Sequence, residues 1–170
     1  MNIYPSRGVE ASDMSAEGVR RGYTLLVLYI IEVIKDLGTQ PSLDKLIEAA
    51  DRQGVLIAKE MRKSLPAGLS PLDTGAEVYL RFMRDAGADV AMHKRDERSV
   101  TFVVRRCPFH EAFLEVGVDC GIFLKGLCGN LTLPAIQSTL REFDPRLTVE
   151  NVVARQSAEE VCLERVVFTG

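Results

Sequence analysis

A chain of 170 residues is long enough for one domain with a single buried core and leaves little room for a second. Apolar residues make up 46% and charged residues 26%, the balance of a folded globular protein rather than a disordered one, and seven Phe and four Tyr without Trp predict an aliphatic core. A net charge of -3, with acids and bases interspersed, lacks the basic stripe that neutralises phosphates, so direct nucleic-acid binding is not expected.

Residues 1–14 contain Pro5, Gly8 and Ser12 without periodicity and read as a loose arm, followed by one domain over residues 15–170. No basic region leads into an early apolar stretch, and Asp13 and Glu17 precede the first hydrophobic run; a cytoplasmic protein with reduced thiols is expected, without a secretory signal. The apolar run from Tyr23 to Ile34 contains Glu32 and falls short of the about 20 residues needed to cross a bilayer, so it predicts a buried helix.

That first helix should start near Ser15 as N-cap and stop at Gly38. Leu25, Leu28 and Ile31 populate nearly every side of it, so it needs cover from other elements or from a second chain, and it is the candidate homodimer helix. Pro41-Ser42 opens a second helix with Leu43, Leu46, Ile47, Ala50, Ile57, Ala58 and Met61 at helical spacing, and Gly54 is a candidate kink. Ser70-Pro71-Leu72-Asp73 opens a third, with Val78, Phe82 and Met83 inward and Gly87 as its stop.

After Gly87 the pattern changes to strands. Asp89 to Arg95 and Ser99 to Arg106 flank the polar turn Asp96-Glu97-Arg98 as a hairpin, and Leu147 to Arg155 with Val161 to Thr169 form a second one about Ser157-Ala158-Glu159. Between them, His110 to Leu127 reads as helix with a break at Gly117, and Thr132-Leu133-Pro134 starts another that runs to Phe143. The fold class is α+β, a helical N-terminal half packed on a four-stranded antiparallel sheet made of two hairpins.

All four cysteines follow Arg106. Cys107 at a strand end, His110 in the next turn, Cys120 in the following helix and Cys162 in the last strand form a candidate locus for zinc or an iron–sulfur cluster, whose soft thiolate ligands can come from distant segments. The chain has no C-x2-C pair, and each cysteine also fits the role of a small buried apolar residue, Cys128 between Gly126 and Gly129 above all. His110 can be a ligand, a base that takes the proton of Cys107, or a helix-capping residue. Glu111 and Glu115 stand four apart as an acid–base pair or a solvated face; Arg105 and Arg106 can hold a carboxylate or lower a thiol pKa, or simply end an edge strand. His93 reads as exposed, and Glu32 as a carboxylate that needs a partner or a raised pKa.

The run "RRCPFHEAF…VDCGIFLKGLCGNL…LTVENVVARQSAEEVCLERVVF", over about residues 88–168, resembles the vinyl-4-reductase-like domains and the family of L-2-amino-thiazoline-4-carboxylic acid hydrolase, whose α+β fold is shared with TRAPP-complex trafficking subunits. The resemblance lies in a Cys-Pro-aromatic at a strand end, a helical Cys a dozen residues on, and a Cys in the final strand. It nominates Cys107, Cys120 and Cys162 as the family's cysteine positions and implies a ligand cavity between helices and sheet. Similar modules occur in iron–sulfur-sensing repressors, whose first two ligating cysteines are spaced as Cys107 and Cys120 are here. These families carry Gly-Asp before the last cysteine, where this chain has Glu160-Val161.

The leading expectation is a small-molecule-binding or sensing domain, homodimeric, with an apolar pocket for a small apolar or heterocyclic ligand and a metal or redox locus at Cys107, Cys120 and Cys162. The alternatives are a hydrolase of a small heterocyclic or amide substrate, with Cys107 or a metal-bound water as nucleophile and His110 handling protons, and a dimeric adaptor scaffold.

Overall fold

The computed structural model describes residues 11–117, 128–157 and 159–170. The order is α1 (Ala11–Leu37), α2 (Thr39–Met61), α3 (Pro71–Asp85), β1 (Asp89–Arg95), β2 (Ser99–Arg106), α4 (Pro108–Val116), α5 (Thr132–Arg141), β3 (Leu147–Val153) and β4 (Cys162–Phe168). The strands form one antiparallel sheet in the order β1-β2-β4-β3, so the two predicted hairpins meet along β2 and β4, with Val100 opposite Val166 and Val104 opposite Cys162. The α+β class expected from the sequence is the observed one.

The first hairpin turns where expected because Asp96 Oδ1 accepts the backbone N–H groups of Arg98 and Ser99, at 2.9 and 2.7 Å. The third helix starts where expected because Ser70 Oγ accepts the Asp73 N–H at 3.2 Å and Pro71 occupies the first helical position, where a missing N–H costs nothing. On the inner face of the sheet Val100, Phe102, Val104 and Val166 are buried against Val78, Tyr79 and Phe82 of α3 and Ile136 and Leu140 of α5. A second apolar cluster joins Val27 and Ile30 of α1 to Phe109, Ala112 and Phe113 of α4.

Several elements depart from the sequence reading. Helix α1 begins at Ala11 instead of near Ser15. Helix α2 passes through Gly54 unbroken. The glycine serves packing there: a Cβ at residue 54 would stand 2.5 Å from Ala135 O and 2.6 Å from Ser138 Cβ, so the missing side chain is what lets α2 lie against α5. Helix α4 starts at Pro108 instead of His110 and runs to Val116, and the expected break at Gly117 is there, the glycine capping the helix with a left-handed φ of 74°. Residues 118–127, with Cys120, lie outside the described residues. Glu32 is exposed and paired with Lys35 at 2.7 Å, so the partner it was expected to need is one turn away on the same helix. Among the described residues no helix is long and apolar enough to cross a membrane.

Candidate functional site

Beyond the last rung of the β2–β4 ladder the chain must leave β3, turn and re-enter β4, and this crossing places Arg155 against the sheet's end. Its Nη2 donates to Val104 O at 2.6 Å, closing a carbonyl at the end of β2, and its Nε donates to Cys162 Sγ at 3.4 Å. Arg155 is only 3% exposed, unusual for a guanidinium, and it borders a cavity of about 440 Å³.

Cys107, His110, Cys128, Cys162 and Glu164 border the same cavity, with Met83, Val104 and Leu133 as apolar wall. Cys107 arrives as the residue that caps α4, in extended conformation immediately before Pro108. His110, one turn in, is buried and its Nε2 has no hydrogen-bond partner among the described residues. Glu164 enters from β4, where the strand alternation that turns Val166 inward also turns Glu164 inward; the Tyr79 hydroxyl donates to its Oε2 at 2.6 Å.

The electrostatics follow from burial. Burial pushes the Glu164 carboxyl up, against the opposing pulls of the Tyr79 hydrogen bond and the Arg155 charge. Burial likewise raises the Cys107 thiol, with the Phe109 and His110 amides and Arg155 acting the other way, and raises Cys128 further. Burial first and the Arg155 charge second lower the pKa of His110, which is therefore neutral at pH 7.

Of the predicted site residues, Cys107, His110 and Cys162 thus meet around one cavity, and Cys128, read as purely structural, joins them. Among the described residues no three His, Cys, Asp or Glu side chains converge as a metal ion requires, and Cys120 of the expected ligand set lies outside the described residues. The acidic pair is committed elsewhere: Glu111 accepts from Arg106 Nε at 2.6 Å, while Glu115 accepts from Arg20 at 2.8 Å and Thr24 at 3.0 Å, tying α4 to α1. Arg105 lies near Asp89 on an exposed strand end, and His93 is exposed as expected. Sequence reasoning missed Arg155, Glu164 and Tyr79. The one readable signal was Glu164, a carboxylate in the inward phase of an otherwise apolar strand.

A larger cavity of about 630 Å³ lies among α1, α2, α3 and the start of α5, and Cys107, His110 and Cys162 do not border it.

No protein-family model matches the chain, and no curated protein matches it. Among solved structures it is similar to the trafficking protein particle complex subunit 3 from Naegleria fowleri, covalently bound to palmitic acid. The TM-score is 0.61 over 93% of this chain and 97% of that chain, at 19% identity. The chain has the fold of a trafficking-complex subunit. That is the coarser part of the resemblance drawn from the sequence; the finer likeness to vinyl-4-reductase-like domains rests on the motif residues alone.

Proposed function

We propose that the chain is a small-molecule-binding domain whose site is the cavity between α4, α5 and the ends of β2 and β4. The observation that carries the reading is the convergence on that cavity of a buried guanidinium, a buried carboxylate and a buried imidazole nitrogen with no partner among the described residues. Buried polar groups without protein partners are costly, and they are retained where a ligand supplies the missing bonds. The similar trafficking subunit is described as bound to palmitic acid, which supports a fold able to house an organic molecule. Hydrolysis through Cys107 would require a thiolate that burial disfavours, so binding is the better reading. Native mass spectrometry of protein purified without oxygen tests it, with a denatured aliquot alongside. The expected result is a mass excess of one organic ligand that denaturation removes. A bare chain that no member of a panel of small acids, phenols and acyl amides stabilises against heat would sink the reading.

A second reading, a dimeric scaffold, draws on α1. Leu25, Leu28 and Tyr29, spaced as one helical stripe, are 69%, 46% and 65% exposed. The similar protein is a subunit of a larger complex, and a second copy of this chain is the occupant proposed for the stripe. Light scattering coupled to gel filtration tests this.

A further inference from the structure

The two buried charges at the cavity do not neutralise each other by contact. The bonds of Arg155 run from Nη2 to Val104 O and from Nε to Cys162 Sγ, and the bond of Glu164 is the one from Tyr79, which leaves Arg155 Nη1 and Glu164 Oε1 without partners among the described residues. The two groups differ in how they can escape the cost of burial. A carboxyl can take up a proton, and burial already drives Glu164 that way; a guanidinium stays charged in any protein environment. Arg155 is therefore the fixed positive charge of the site, and ionisation of Glu164 opposes the binding of an anion beside it. His110 adds a buried Nε2 that can donate once the imidazole carries its proton there. Met83, Val104 and Leu133 supply an apolar stretch of the remaining wall, which also carries the neutral polar residues Thr132, Asn151 and Gln156.

Resting on the ligand-binding reading above, we infer that the cavity takes a small monocarboxylic acid with an apolar body, its carboxylate held by Arg155 and His110 Nε2 and its body against Met83, Val104 and Leu133. One guanidinium matches one carboxylate, with charge-assisted bonds stronger than those to a neutral hydroxyl. Among the described lining residues Arg155 is the only Lys or Arg, so a second anionic group would be buried beside Glu164 without a cation of its own, which argues against dicarboxylates and phosphate esters. An amine would leave Arg155 facing a like charge.

The test is calorimetric titration of the intact chain at pH 8 with three probes of one chain length: hexanoate, 1-hexanol and hexylamine. Hexanoate should bind about tenfold more tightly than either of the others, as charge assistance implies. The R155M variant should lose about tenfold in hexanoate affinity and keep its 1-hexanol affinity. The E164Q variant, which retains an acceptor for Tyr79 but carries no charge, should bind hexanoate severalfold more tightly, and it keeps the inference exposed should R155M fail to fold. Equal affinity for hexanoate and 1-hexanol, preference for hexylamine, or unchanged hexanoate binding in R155M or E164Q would overturn the carboxylate assignment while leaving a ligand-binding cavity. Binding of none of the three would overturn the carboxylate assignment and the cavity reading together.

Discussion

The hydroxyl of Tyr79 donates to Oε2 of Glu164 at 2.6 Å, with Tyr79 fully buried and Glu164 nearly so. The Tyr79 ring stacks on Phe102 with centroids 4.3 Å apart, so packing aims the hydroxyl at the carboxyl before any hydrogen bond forms. Tyr79→Phe keeps the ring and deletes the donor, leaving a buried carboxyl unsatisfied. It should cost about 1–3 kcal/mol of stability. Urea unfolding at neutral pH checks this; an unchanged midpoint would mean that another donor reaches Glu164.

Glu164 also makes stability depend on pH. Its folded pKa is raised above the ordinary 4.5, so the folded state holds the proton more tightly than the unfolded chain does. The stabilisation from this group is complete below the ordinary carboxyl pKa and is lost as pH rises through the raised folded value. Glu164→Gln cannot ionise and should escape that loss. Thermal unfolding from pH 4.5 to pH 8 should show the variant gaining on the parent as pH rises, and a difference that does not grow would show that Glu164 is not destabilised by ionising.

Gly54→Ala would ordinarily favour a helix by about 1 kcal/mol. Here the added methyl meets Ala135 O at 2.5 Å and Thr139 N at 2.9 Å, both backbone atoms of the neighbouring helix, and Thr139 Oγ1 donates to Gly54 O at 3.2 Å across the same contact. Overpacking should outweigh propensity, for a net loss of about 1–3 kcal/mol. A raised melting temperature in the variant would show that α2 and α5 can move apart at little cost.

The stripe on α1 predicts a concentration-dependent dimer. Replacing Leu25 and Tyr29 by Glu places charge where each is more than half exposed, so the fold should persist by circular dichroism while the dimer mass falls to that of one chain. A parent chain that stays monomeric at high micromolar concentration would remove the scaffold reading.

Cys107 should behave as an unreactive thiol. Burial raises it despite the nearby Arg155, so labelling by a disulfide reagent at pH 7.5 should be far slower in the folded chain than in the unfolded one. Rapid labelling of Cys107 in the folded state would restore it as a candidate nucleophile.

What the sequence determined by itself was local. Ser70-Pro71 and Asp96-Glu97-Arg98 carry their own hydrogen-bonding instructions, and the alternation in Ser99–Arg106 needs only a neighbouring apolar layer, so helix order, both hairpins and the α+β class were legible. The cysteine motif also gathers at one end of the sheet, because Cys107 and Cys162 lie at the ends of two strands that pair. Tertiary structure alone decided the chemistry at that end. Arg155 looks like any charged strand-end residue until the β3–β4 crossing folds it onto Val104 O, and Tyr79 looks like any helical aromatic until α3 settles on the sheet beside Glu164. Gly54 reads as a kink until α5 lies against it. Spacing along the chain encodes which face a residue presents; what it meets there depends on segments far away in sequence, and the burial that perturbs Glu164, His110 and Cys107 exists only once those segments have packed.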